Sequence, residues 1–76
     1  MLGRIQQTKT QRAQTIAALL VALRDAAPVL RRLAMLALKR HGRHLSEEDM
    51  RQMAGLDQDV DTGVRRVADW AREQLS

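Results

Sequence analysis

The apolar residues in the first third of the chain recur at helical spacing. On a helical wheel, seven of them fall within about 60° of Ile16, namely Leu2, Ile5, Ala13, Leu19, Leu20, Leu23 and Ala27. This pattern predicts a long amphipathic helix. Proline lacks an amide hydrogen and restricts the residue before it, yet it fits well as a first helical residue. The helix is therefore expected to end within 25–28, and a second helix is expected to begin at Pro28.

The second predicted helix, from Pro28 to His41, is apolar in nearly every direction. Its sequence VLRRLAMLAL is interrupted mainly by arginines, and a helix of this kind needs neighbours on several sides. Gly42 follows directly and is the residue type that ends helices in a left-handed conformation. Lys39 and Arg40 occupy the last turn, where the helix dipole favours positive charge.

The second half of the chain predicts two more helices. Ser46 and Asp49 have the spacing of a capping box, with Leu45 and Met50 placed to contact each other across the first turn. This predicts a short helix from Glu47 to Gly55. A fourth helix is expected from Asp57 to about Gln74, because one stripe of the wheel collects Val60, Val64, Val67, Ala71 and Leu75.

Length and composition favour one small all-α domain over residues 1–76, a bundle of about four helices. A chain of 76 residues is too short for a second core. The basic first turns, residues 1–12, bury little and are a candidate projecting arm. The two apolar runs, Ile16 to Leu23 and Val29 to Leu38, exceed what two short C-terminal helices can cover. We therefore expect dimerisation to complete the core.

Charge is divided unevenly between the two halves. Residues 1–44 hold nine Lys or Arg and one acid, a net charge of +8, whereas residues 45–76 hold four Arg and eight acids, a net charge of −4. A basic half of this kind can bind the phosphate groups of a nucleic acid. The candidate nucleic-acid-binding residues are Arg4, Lys9, Arg12, Arg31, Arg32, Lys39, Arg40 and Arg43. Arginine outnumbers lysine eleven to two, which favours a GC-rich bacterial or phage source.

Two patterns resemble known motifs but depart from them at the decisive positions. The alternating acids Asp57, Asp59 and Asp61 resemble the opening of an EF-hand calcium loop. However, Thr62 stands where that loop has a glycine, and Ala68 stands where it has its twelfth-position acid. Residues 46–71 resemble a helix-turn-helix, but those same acids would face the DNA phosphates. His41 and His44 lack fixed metal-binding geometry. We therefore expect no metal or cofactor. The three aspartates are expected to lie in the first turn of a helix, where the helix dipole favours negative charge.

The sequence is that of a binding module and not of an enzyme. It has no cysteine, no glycine-rich phosphate loop and no nucleophile paired with a base. We expect a small regulatory or adaptor protein, cytoplasmic and acting as a homodimer on another protein. Binding to DNA or RNA through the basic half is the alternative. The residues expected to contact a partner are Ile16, Leu19, Leu20, Leu23 and Trp70, the single tryptophan, at the rim of its helix.

Overall fold

The fold is all-helical, as the sequence predicts. The computed structural model describes the backbone of residues 2–76 and the side chains of residues 9–76. Over this part of the chain it contains no strand. The helices are α1 (Leu2–Ala22), α2 (Pro28–Arg40), α3 (Glu47–Ala54) and α4 (Thr62–Leu75), with one 3₁₀ turn at Gly42–His44.

The local signals for helix ends are confirmed at three places. Pro28 is the first residue of α2. Ser46 caps α3 as a complete capping box, because its hydroxyl accepts from the Asp49 amide at 3.1 Å and the Asp49 carboxylate accepts from the Ser46 amide at 3.0 Å. Gly55 follows the last residue of α3. Each of these boundaries depends on residues no more than four apart, so the sequence alone is sufficient to place them.

Three features differ from the predictions. α1 ends at Ala22, before the predicted segment 25–28. Gly42 does not adopt a positive φ; the chain tightens into the 3₁₀ turn, where the His44 amide donates to the His41 carbonyl at 2.7 Å. The fourth helix begins at Thr62 and not at Asp57. Its N-cap is Asp61, whose carboxylate accepts from the Val64 amide at 3.1 Å. The residues between α3 and α4 instead form a connection whose aspartates bind arginines of α2.

The core lies between α2 and the other helices, and it is entirely aliphatic. α2 contacts α1 on one side and α4 on the other, while α3 packs mainly on α4. The four largest fully enclosed side chains are those of Met35, Leu38, Met53 and Val64. Six more buried residues complete the cluster, namely Ile16, Leu23, Ala34, Val67, Ala68 and Ala71. Every helix contributes, so the core depends on how the elements are arranged and not on one helical hairpin.

Residues 1–12 are only partly described. The backbone from Leu2 belongs to α1, but the side chains of residues 1–8, including Arg4, lie outside the described part. The predicted projecting arm therefore stays a prediction. Among the described residues, no helix combines the length and the hydropathy that a membrane span requires.

Candidate functional site

Arg31 joins two loops that are far apart in the sequence. Its guanidinium donates to both carboxylate oxygens of Asp59, at 2.8 Å and 3.1 Å. It also donates to the carbonyls of Asp25, at 2.7 Å, and Ala26, at 3.1 Å. The two charged side chains are 14% and 7% exposed. Forked arginine–carboxylate bonds of this kind are specific in geometry as well as strong. The connection before α2 is thereby fixed to the connection before α4.

A second ion pair lies beside the first. Arg32 donates to the Asp61 carboxylate at 2.9 Å, and its aliphatic stem crosses the first turn of α4 at Gly63. A β-carbon at Gly63 would lie 2.5 Å from Cδ of Arg32, so only glycine gives this stem room. The carboxylates of Asp59 and Asp61 thus each bind an arginine guanidinium. Residues 9–76 contain no group of three metal-ligating side chains.

The Arg31 hydrogen bond holds the pKa of Asp59 below its usual value, and the bond from the Asp61 amide acts in the same direction. Burial acts in the opposite direction but is outweighed. A carboxyl group with a depressed pKa in the folded state stabilises the fold fully above its unfolded pKa, which is about 3.9. This stabilisation is lost as the pH falls through the lower pKa of the folded state.

We therefore expect the free energy of unfolding to fall with pH below about 4, partly through Asp59. In Asp59→Asn, which cannot ionise, urea denaturation at pH 5 and pH 3 should show a smaller loss between the two values than the unaltered protein. Asp69→Asn is the control, because this exposed residue pairs with Arg72 only at the surface. An identical loss in the unaltered protein and in Asp59→Asn would contradict the assignment.

The outward side of α2 exposes four large apolar side chains. Val29, Leu30, Leu33 and Leu36 are each between 46% and 54% exposed, and on the helical wheel Val29, Leu33 and Leu36 form a narrow stripe. We call these four residues the apolar face of α2. The stripe lies opposite Leu38, which is fully buried. An apolar patch of this kind on a small protein is a candidate interaction surface.

The residues predicted to contact a partner are placed differently. Ile16 and Leu23 belong to the core, at 7% and 5% exposure, and the other three, Leu19, Leu20 and Trp70, are partly buried against it. Burial within one chain leaves Ile16 and Leu23 little surface to offer a partner. The predicted surplus of apolar surface does exist, but it lies on α2. The helical wheel could not reveal this, because α2 is apolar on all sides.

The predicted phosphate-binding residues divide into two groups. Arg31 and Arg32 are paired with aspartates, which removes their charge from the candidate set. Within residues 9–76 none of the remaining cations forms a salt bridge, namely Lys9, Arg12, Lys39, Arg40 and Arg43. We call four of these residues the basic patch, namely Arg12, Lys39, Arg40 and Arg43. They come from α1, from the last turn of α2 and from the 3₁₀ turn.

Trp70 lies at the base of the basic patch. The Lys39 ammonium is 5.7 Å from the centre of its ring, a favourable cation–π geometry. A β-carbon at Gly42 would lie 3.4 Å from the edge of the same ring. The predicted rim position of Trp70 is therefore confirmed, since the residue is partly buried against the core. Its contacts with Lys39 and Gly42 have no counterpart in the local sequence pattern.

Comparisons of the chain with protein-family models, with curated proteins and with solved structures find no match.

Proposed function

We propose that this chain is a small, non-enzymatic regulatory or adaptor protein that acts by binding protein, and that it self-associates through the apolar face of α2. The observation that supports this most directly is the half-exposure of four large side chains on one helix. Burial of apolar area is the dominant favourable contribution to most protein–protein association. A second copy offers the same surface, and a two-fold axis lets one patch cover itself.

Charge at the two ends of the apolar face favours a second copy as the occupant. Asp25 lies just before α2, and it is the only acidic residue ahead of Glu47. Arg40 lies at the other end, on the same stripe as Leu33 and Leu36. If two α2 helices cross antiparallel with Leu33 near the two-fold axis, each Arg40 approaches the Asp25 of the other copy. The antiparallel arrangement is also electrostatically favourable, because the positive N-terminal end of each helix dipole then lies beside the negative C-terminal end of the other.

The size of the face indicates how tightly the copies should associate. A helix of 13 residues is about 20 Å long and roughly 10 Å wide. One face of such a helix offers less than the roughly 800 Å² that each partner buries in a standard interface. We therefore expect a dimer that forms at micromolar and not at nanomolar concentration.

Leu33→Gln tests the proposal, because it places an amide near the two-fold axis in both copies at once. Sedimentation velocity over a micromolar concentration series should show the unaltered protein passing from monomer to dimer. Leu33→Gln should remain monomeric at the same concentrations. Val60→Gln is the matched control, since Val60 is 79% exposed but lies before α4, and this variant should dimerise normally.

Orientation is tested by reversing charge. Arg40→Glu should weaken the dimer, because it would face Asp25 of the other copy, and adding Asp25→Lys should restore it. A strict monomer for the unaltered protein at micromolar concentration would overturn the proposal. So would equal dimerisation of Leu33→Gln and Val60→Gln.

A further inference from the structure

The basic patch gathers positive charge from three elements at one end of α2. Arg12 comes from the middle of α1, Lys39 and Arg40 from α2, and Arg43 from the 3₁₀ turn. His44 lies among them: burial lowers its pKa first, and the neighbouring charges of Arg12 and Arg43 lower it further. Arg12, Arg43 and His44 are therefore neighbours in space, although Arg12 is 31 positions from Arg43 in the sequence, and Lys39 and Arg40 precede Arg43 by about one helical turn.

The ordinary role of cations at a helix end explains only part of the patch. Lys39 and Arg40 occupy the last turn of α2, where they complement the dipole. Arg43 lies beyond the helix, and Arg12 belongs to a different helix, so the dipole accounts for neither. Like charges brought together repel each other, and the described residues provide no carboxylate in a salt bridge with any of the four.

Five of the seven described arginines outside the patch are treated differently, whereas Arg24 and Arg66 form no salt bridge. Arg31, Arg32, Arg51 and Arg72 each bind a carboxylate, and Arg65 donates to the Asp59 carbonyl at 2.7 Å. The fold thus uses its acids to neutralise cations near α3 and α4 and leaves the patch uncompensated. A polyanion would supply the missing negative charge without any rearrangement of these pairs.

We propose that the basic patch binds the phosphate backbone of a nucleic acid, with Trp70 beside the bound strand. Guanidinium groups bind phosphate oxygens in a forked geometry, and three of the four cations are arginines. Aromatic rings next to such cations provide stacking surfaces for bases. Most of this affinity would be independent of base sequence, because the contacts are to phosphates.

An anionic membrane is a less suitable partner for this arrangement. A helix that lies in a membrane surface carries its cations along a polar face beside the apolar one. Here the side of α2 opposite the apolar face is the core, and the cations converge at one end of the molecule from three elements. Of the four cations only Arg40 continues the apolar stripe of α2; Lys39 lies to one side of it, and Arg12 and Arg43 belong to other elements.

The test is binding of a fluorescein-labelled 20-nucleotide single strand, measured by polarisation, with a duplex of the same length in parallel. In the monomer, where Arg40 does not face Asp25 of a second copy, four phosphate contacts should weaken binding on the order of a hundredfold between 50 and 200 mM salt. The double variant Lys39→Gln/Arg43→Gln retains two contacts, so its loss over the same range should be only about tenfold. Trp70 fluorescence should change on binding, since the ring contacts Lys39.

Arg24→Gln/Arg66→Gln is the matched control. Both arginines are exposed and lie outside the patch, and their replacement changes the net charge by the same amount. This variant should keep the salt dependence of the unaltered protein. No binding at 50 mM salt, or equal losses in the two double variants, would overturn the proposal. Tighter binding to vesicles containing phosphatidylserine than to either oligonucleotide would also overturn it, because the partner would then be a membrane.

Discussion

Replacing Arg31 by methionine should lower the melting temperature by on the order of 10 °C or more. Methionine keeps the length and apolar character of the stem but removes every donor. The Asp59 carboxylate, 7% exposed, would then remain charged with little access to water. The carbonyls of Asp25 and Ala26 would lose their side-chain donor as well. Removing one member of an enclosed ion pair lowers the free energy of unfolding far more than replacing both members by apolar residues, because the remaining charge is left buried without a partner.

Two further variants separate this effect from a general loss of charge. Arg31→Lys keeps the charge but not the fork, so its melting temperature should fall between those of the unaltered protein and Arg31→Met. Arg51→Met removes an arginine that pairs with Glu47 and Glu48 on an exposed face of α3. Such pairs contribute little, and the melting temperature should change by about 2 °C or less. Circular dichroism measures the melting temperatures. Equal decreases for Arg31→Met and Arg51→Met would show that the Arg31 contacts do not stabilise the fold.

Leu38→Ala should remove about half of the stability of the monomer. Leu38 is completely buried between α2 and its neighbours, and deletion of a buried leucine costs about 3–5 kcal/mol through lost burial and the cavity that remains. A domain of this length has a total stability of about 4–11 kcal/mol. Urea denaturation, followed by the fluorescence of Trp70, measures the loss.

Leu33→Ala provides the matched comparison on the same helix. Leu33 is 54% exposed, so the same deletion should change the free energy of unfolding by less than about 1 kcal/mol at concentrations where the chain is monomeric. The two leucines thus distinguish the inner and outer sides of α2. Similar losses for both variants would mean that the outer side is covered within the chain, which would contradict the exposed apolar face.

The parts of the fold that the sequence predicts correctly are those set by neighbouring residues. The Ser46–Asp49 capping box and Pro28 at the start of α2 each act within one turn of helix. The start of α4 was predicted five residues too early, because Asp57, Asp59 and Asp61 resemble the acidic first turn of a helix. Two of these acids have their main partners 28 and 29 positions earlier, on α2. No local pattern contains that information.

The candidate surfaces show the same division. An excess of apolar surface follows from composition, but its location does not, because a helix that is apolar all round gives no preferred inward side. The grouping of Arg12 with Arg43, and of Lys39 with Trp70, depends on how α1, α2 and α4 pack. The total positive charge of the first half was readable from the sequence. The structure is needed to distinguish paired from unpaired cations, because the ion pairs of Arg31 and Arg32 join residues far apart in the sequence.

The two ion pairs between α2 and the connection that precedes α4 also determine which alignment of the helices is allowed. Leucine, methionine, valine and alanine fill space without directional demands, so an aliphatic core accepts several arrangements of nearly equal energy. Sliding α2 by one turn, about 5.4 Å, would bring another set of aliphatic side chains inward. Arg31 and Arg32 would then leave Asp59 and Asp61 behind. We infer that these pairs give an otherwise permissive core a single register, a contribution to uniqueness that a stability measurement alone does not detect.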